Sequence, residues 1–433
     1  MAPPVQVAVK DSLEHTVRGA TDTVTLALGA TSKGAALAGT TTVAAVDGIA
    51  TFADLRVDRP GTYTLVATAP RLTAATSASF TVHVTFAAVS AGGSHTCAIT
   101  PRGAAYCWGS NSSGQLGDGT RIAEAIPVLV SGGIRFATIS LGENHTCGVA
   151  TSGAAYCWGA NFWGQLGDGT GFPQTSPARV AGGLDFTVVG AGATHTCGVT
   201  TSGAGYCWGD NFAGQLGDGR TGGASLTPVA VVGGLTFMRV SAGAGYSCGL
   251  TTAGVASCWG SNSDGRLGDG TTLSRPVPGL VAGVTGIAAV SAGARHACAV
   301  ITGGTAYCWG ANNTGQLGDG TTTSRAIPVP VWGGLTFNVL DGGGAHSCGV
   351  IPRSAPYCWG DNTYGQLGDG TGAGRATPAP VADGLAFVAA SAGLAHACGL
   401  TAGGTAYCWG ANYAGQLGDG TTNLSPTPVR VAP

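Results

Sequence analysis

The residues with the most chemistry in this 433-residue chain are its 14 cysteines, and they follow a rule. They form seven Cys-x9-Cys pairs: Cys97 and Cys107, Cys147 and Cys157, Cys197 and Cys207, Cys248 and Cys258, Cys298 and Cys308, Cys348 and Cys358, and Cys398 and Cys408. A turn at Pro101-Arg102-Gly103 sets Cys97 across from Cys107 in a hairpin, with Cβ atoms close enough to bridge. Closing so short a loop stabilises by roughly 2–3 kcal/mol in the chain-entropy model, less any strain. The competing uses are reduced cysteine packed as a small hydrophobe and zinc. Zinc needs four ligands together, whereas these pairs recur about every 50 residues. Disulfides are the expectation, and seven of them imply an oxidising compartment.

Two other side chains repeat with the cysteines. His95, His145, His195, His296, His346 and His396 each stand two residues before a cysteine, and Tyr246 takes that place in the fourth copy. General-base chemistry would need a nucleophile beside one distinctive copy. None stands out, so the expected role is a hydrogen bond within each repeat. Asp118, Asp168, Asp218, Asp269, Asp319, Asp369 and Asp419 lie in Gly-Asp-Gly turns. A ring of seven carboxylates has the donors for a cation, but Asp in a glycine turn more often bonds its own backbone. No metal, cofactor or catalytic set is expected.

These residues need strands to hold them. Phe86 to Ser90, His95 to Thr100, Ala104 to Gly109 and Pro127 to Val130 are short apolar runs separated by Gly-rich turns. Four strands per repeat of about 50 residues is what a β-propeller blade needs. Side chains alternate along a strand, so Tyr106 and Trp108 should share one face and Cys107 take the other. The seven Cys-Trp-Gly tryptophans then supply packing area between blades. The motif Tyr-Cys-Trp-Gly-x-Asn-x-x-Gly-Gln-Leu-Gly-Asp-Gly-Thr, preceded by Gly-x-x-His-Thr-Cys, resembles the repeat of the regulator of chromosome condensation family. It is most similar to the cysteine-bearing bacterial branch. The resemblance covers residues 86–433 and implies a seven-bladed propeller. It does not imply one function, because function lives in sites placed on a fold.

Residues 1–85 contain no repeat. They read as strands at Val5 to Val9, Thr23 to Leu28, Thr41 to Val46, Ile49 to Leu55, Gly61 to Ala67 and Ala78 to Val84, with Asp47-Gly48 as a hairpin turn. An immunoglobulin-like sandwich fits that number of strands. The runs from Gly48 to Leu55 and from Pro60 to Leu65 resemble bacterial immunoglobulin-like domains of surface and secreted proteins, which implies a stalk or spacer. Met1-Ala2-Pro3-Pro4 lacks the charged and apolar regions of a signal peptide. With the cysteines pointing to export, the chain is expected to be a piece of a longer one. The fold class is thus all-β, a seven-bladed propeller over 86–433 after a sandwich over 1–85.

Composition narrows the partners. Charged residues are 9% of the chain and its net charge is −2; the propeller carries 13 Arg, no Lys and 15 acidic residues. There is no basic stripe, so no nucleic acid is expected as a partner. No apolar run approaches the length of a membrane span.

What differs between blades marks the binding face. Alternating strand directions put the short Gly92-Gly93-Ser94 turn and the long loop 110–126 on one side. Phe162, Trp163 and Phe172 of blade two, Phe212 of blade three, Tyr364 of blade six and Tyr413 of blade seven collect there, with Glu143, Asn144, Tyr246 and Arg295 from the short turns. Exposed aromatics on a rigid loop face are a binding signature. The alternative is that each ring pins its own loop. The expected function is recognition of a protein, peptide or glycan by a monomeric, secreted or surface-bound bacterial protein. The other readings are an enzyme with its site in the central channel, an inhibitor of a secreted enzyme, and a surface scaffold. Nucleotide exchange on a nuclear GTPase, known in the family, is set aside for want of lysine and of an inserted wedge. Ring closure is expected from Pro428 to Val431 pairing with Phe86 to Ser90, because the link from Val130 to Phe136 is hairpin-short whereas Gly109 to Pro127 is long enough to cross between blades.

Overall fold

The computed structural model describes residues 4–29, 35–57, 61–352 and 354–433. Met1 to Pro3 and Pro60, used in the sequence reading, lie outside them. Two compact units are present, Met1–Val84 and Thr85–Ala432.

In the first unit the strands are short and antiparallel. Val5–Ala8 pairs with Ile49–Phe52, while Thr23–Leu28 lies between Thr42–Ala44 and Leu65–Thr68. Asp47 (φ 51°) and Gly48 (φ 80°) make the two-residue turn, the type I′ geometry that matches strand twist. Phe80–Val82 pairs with Gly61–Tyr63. Three strands were not anticipated, Leu37–Ala38, Arg56–Val57 and Ala75–Thr76. Each has two residues, too short to leave an alternation in the sequence. Val24, Leu26, Ala50, Phe52, Leu55 and Leu65 form the core.

The second unit is a β-propeller of seven four-stranded antiparallel sheets. In the first sheet the strands are Ala88–Ala91, His95–Ile99, Ala105–Gly109 and Glu124–Leu129, paired in that order. Tyr106 and Trp108 pack on Phe86 from one face. Cys97 and Cys107 face the other way, toward the next sheet, in a cluster with Leu116, Phe136 and Trp158. Each junction is therefore a disulfide-bearing face against a tryptophan-bearing one. All seven tryptophans of the motif are fully buried. The anticipated alternation holds.

Ring closure differs from the expectation. Val429 pairs with Cys408 and Arg430 with Tyr407, inside their own sheet, so the last strand does not cross to Phe86 to Ser90. The long segment from Gly109 does not cross between sheets. It is an excursion: the chain leaves Gly109, lies over the next sheet, and returns to Glu124, which pairs with Gly109. The carbonyl of Gln115 at its tip accepts from Thr146 Oγ1 (2.9 Å) and Trp158 Nε1 (2.9 Å) of the second sheet. At the closure, Gln416 of the seventh sheet does the same for Thr96 (2.8 Å) and Trp108 (3.0 Å) of the first. The short link instead runs beside the hairpin turn, where Phe136 N–H donates to Gly103 O (2.8 Å), as Phe86 N–H does to Gly404 O (2.8 Å). The ring closes with the same indole-to-carbonyl bond that joins every other pair of sheets.

Candidate binding face

The fourteen cysteines form seven disulfides, each joining residues directly opposite in the second and third strands, with Cα atoms 4.0–4.2 Å apart. Every cysteine is fully buried. They hold the sheets and present nothing to a ligand.

The histidines are structural too, but they bond between sheets rather than within one. His95 Nε2 lies 2.8 Å from Thr146 Oγ1 of the next sheet, and His145, His195, His296 and His396 repeat this with Thr196, Ser247, Ser347 and Thr96. Each hydroxyl already gives its proton to a glutamine carbonyl, as Thr146 does to Gln115, so it accepts from the imidazole and the proton sits on Nε2. Nδ1 has no partner among the described residues. Burial holds His95, His145, His296 and His396 down at about 3, and His195 and His346 at about 4. They are neutral and inaccessible, unsuited to general-base work.

The Gly-Asp-Gly carboxylates bind their own loops. Asp118 Oδ1 accepts from Thr120 N–H (2.9 Å) and Asn111 Nδ2 (3.2 Å), while Asn111 Oδ1 accepts from Leu116 N–H (3.0 Å). The other copies share this Asn–Asp brace, so the loops are rigid from within. Among the described residues no group of three or more His, Cys, Asp and Glu could hold a metal.

The axis is nearly filled at this end. Gly93 N–H donates to Gly142 O (3.1 Å) of the next sheet, and similar bonds continue around all seven, the last from Leu394 to Gly92 O (3.1 Å). A Cβ at Gly142 would stand 2.2 Å from Gly192 O, so only glycine lets the turns meet. The hollow left is about 100 Å3. Deeper in the wall, Asp341 accepts from Ser291 Oγ (2.6 Å), Ser391 Oγ (3.0 Å) and Ala392 N–H (3.0 Å). Burial pushes its carboxyl up, against those bonds. It stands where five other sheets carry serine and the third carries Gly190, and the sequence reading missed this carboxylate.

On the loop face the variable residues sort into groups. Trp163 and Phe212, from neighbouring sheets, meet edge to face with centroids 5.6 Å apart, and Tyr364 and Tyr413 meet likewise at 5.4 Å. Phe212 is 63% exposed, Tyr413 60%, Trp163 40% and Tyr364 38%. Phe162 and Phe172 stand exposed on the same loop as Trp163 but make no ring pair among the described residues. Arg295 is not free: it grips Asp264 through Nε (3.1 Å) and Nη2 (2.9 Å). Arg266, buried at the position where other copies have glutamine, pairs with the same carboxylate. The mark of this cluster was the change from Gly-Gln to Gly-Arg in one copy. Tyr246 is fully buried, contrary to its placement on the face, and its hydroxyl donates to His296 O of the next sheet. It replaces a buried histidine, which its position in the repeat already implied.

The comparisons agree with this geometry. The RCC1-like domain matches residues 7–332, and the regulator of chromosome condensation (RCC1) repeat matches 357–400, 403–433 and, in a second form, 387–416. Human WBSCR16 superposes with a TM-score of 0.69 at 21% identity, covering 76% of this chain and 94% of its own. Yeast RCC1 (Prp20), solved with Kap60 bound, gives 0.68 at 18% identity, over 81% of this chain and 86% of its own. Prp20p from Saccharomyces cerevisiae, described with its binding to Gsp1p and histones, gives 0.67 at 19% identity, over 77% and 87%. No curated relative matches the chain. At these identities the structures speak for the fold. Repeat motif, family match and β-propeller fold together place the chain in the RCC1-like domain family.

Proposed function

We propose that this chain is a non-catalytic recognition protein, secreted or held on a bacterial cell surface. In this reading a seven-bladed propeller captures a protein, peptide or glycan on its loop face, and an immunoglobulin-like unit acts as spacer. The observation that carries the reading is the pair of aromatic contacts, Trp163 with Phe212 and Tyr364 with Tyr413. Large rings left open to solvent on loops braced from within offer apolar area at little ordering cost. An RCC1-like propeller suggests a protein-binding module, and the seven disulfides are consistent with an extracellular setting. No helix of the described residues is long and apolar enough to cross a membrane.

Labelled protein applied to protein, peptide and glycan arrays tests this. Hits held by the wild type are expected to be lost by the Phe212→Ala/Tyr413→Ala double variant. A hit that the double variant retains in full contradicts the loop-face site.

A further inference from the structure

We propose that the loop face binds a neutral, extended polysaccharide, one chain gripped by both aromatic pairs. This rests on the loop-face reading and names its ligand class. The two pairs occupy the same repeat positions. Trp163 and Tyr364 each stand one residue before the glycine of Gly-Gln-Leu-Gly, and Phe212 and Tyr413 each follow the loop asparagine of the next sheet. They bridge sheets two and three and sheets six and seven, four steps apart one way round the ring and three the other. Two like sites facing each other nearly across an axis suit a ligand that repeats.

The chemistry beside the rings favours sugar. A protein partner anchors through side chains that fill pockets, but the hollow on the axis between the pairs is only about 100 Å3, room for a few waters. Flat rings with a negative π face instead suit the polarised C–H face of a pyranose. The hydrogen-bonding groups next to the pairs include carboxylates and an amide. Asp210 adjoins Phe212, receiving its N–H (3.0 Å) and Thr194 Oγ1 (3.1 Å). Asp361 braces the Tyr364 loop through Thr363 and Gln366. Exposed Asn144 lies at the root of the Trp163 loop, where its carbonyl takes Ala160 N–H (2.8 Å). Carboxylates and amides receive hydroxyl protons well, and the carboxylates repel anionic polymers. Arg266 and Arg295 are both committed to Asp264, so the arginines of that cluster do not answer a phosphate or uronate.

The test uses the whole chain against an array of neutral polysaccharides, including soluble xylan and glucomannan, with single-stranded DNA, polyuronate and a lysine-rich peptide alongside. Expected is retention on at least one neutral polymer, with affinity rising about 100-fold from short oligosaccharide to polymer once both pairs are spanned. Trp163→Ala or Tyr413→Ala alone should remove that gain while leaving the oligosaccharide bound at half the stoichiometry. Far-UV circular dichroism confirms that the variants fold. Silence across the neutral array overturns the proposal, as does polymer binding indifferent to both substitutions. Capture of the peptide or an anionic polymer in a Trp163-dependent way overturns the sugar assignment but leaves the loop-face reading standing. Capture of any ligand indifferent to both substitutions overturns the two together.

Discussion

His346 is the one imidazole of the six whose Nε2 finds no partner among the described residues. The reason is one residue: the next sheet carries Ala397 where Thr146 or Thr196 stands elsewhere. A buried donor left unsatisfied costs about 1–3 kcal/mol. Ala397→Thr would give His346 an acceptor and pass its own proton to Gln366 O, which now receives only Trp409 Nε1 (3.0 Å) among the described side chains. The expected outcome is a gain of about 1 kcal/mol in denaturant unfolding, against a comparable loss for Thr146→Ala in the complete junction. A destabilising Ala397→Thr would show that the methyl site has no room for a hydroxyl. At the fourth junction Ala297 also lacks a hydroxyl, but there Tyr246 replaces histidine and bonds His296 O instead. The two exceptions in the sequence compensate each other, and a reading that moved Tyr246 to the surface missed this. Trp163, Phe212, Tyr364 and Tyr413 were legible as face residues because they break the repeat. Their nearness on adjacent blades was legible from the order of the repeats; the edge-to-face geometry of each pair was not.

At the scale of elements, strand positions were legible because turn glycines and alternating apolar residues recur seven times. The path between strands was not. Loop length alone does not distinguish a crossing from an excursion, and only the docking of Gln115 O on Thr146 and Trp158 does. The same loop presses a glycine onto the next tryptophan: Gly418 has φ +70°, and a Cβ there would lie 2.6 Å from Trp108 Nε1. Gly219 has a similar φ of +85° with open space around it. Gly219→Ala should therefore cost only the backbone term, about 1 kcal/mol, while Gly418→Ala adds displacement of a buried indole and should cost about 3 kcal/mol or more. Equal losses would mean that the seventh loop does not clamp the first sheet. The fourth strands show another shared device. Pro127, Pro177, Pro228, Pro278, Pro328, Pro378 and Pro428 recur along the seven outer edges, and each removes an N–H that could recruit a foreign strand.

For the whole molecule the buried histidines set a pH response. Their folded values lie at about 3 to 4, below the unfolded 6.5. Between those limits the unfolded chain binds protons that the folded ring does not, so stability falls as pH falls below about 6.5. Each histidine contributes about 1.4 kcal/mol per pH unit in that window. Asp341 works the other way, because its raised carboxyl takes a proton in the fold before it would in the unfolded chain. Asp269, Asp319 and Asp369, held low by their threonine and asparagine bonds against a raising effect of burial, lose stability only at lower pH still. Unfolding midpoints should be nearly flat from pH 9 to 7 and drop steeply from 6 to 4. A flat profile down to pH 5 would contradict six neutral imidazoles in the ring.

Repeated residues build the ring and variable residues are free to bind, and two tryptophans of one sheet test that division most directly. Trp158 is fully buried and donates to Gln115 O, whereas Trp163 is 40% exposed and touches Phe212. The measurement is the denaturant unfolding free energy of Trp158→Ala and Trp163→Ala beside the wild type. The expected losses are about 3–5 kcal/mol for Trp158→Ala and no more than about 1 kcal/mol for Trp163→Ala, the worth of one edge-to-face contact. A loss at Trp163→Ala as large as that at Trp158→Ala would make the exposed ring a loop pin and contradict the binding face.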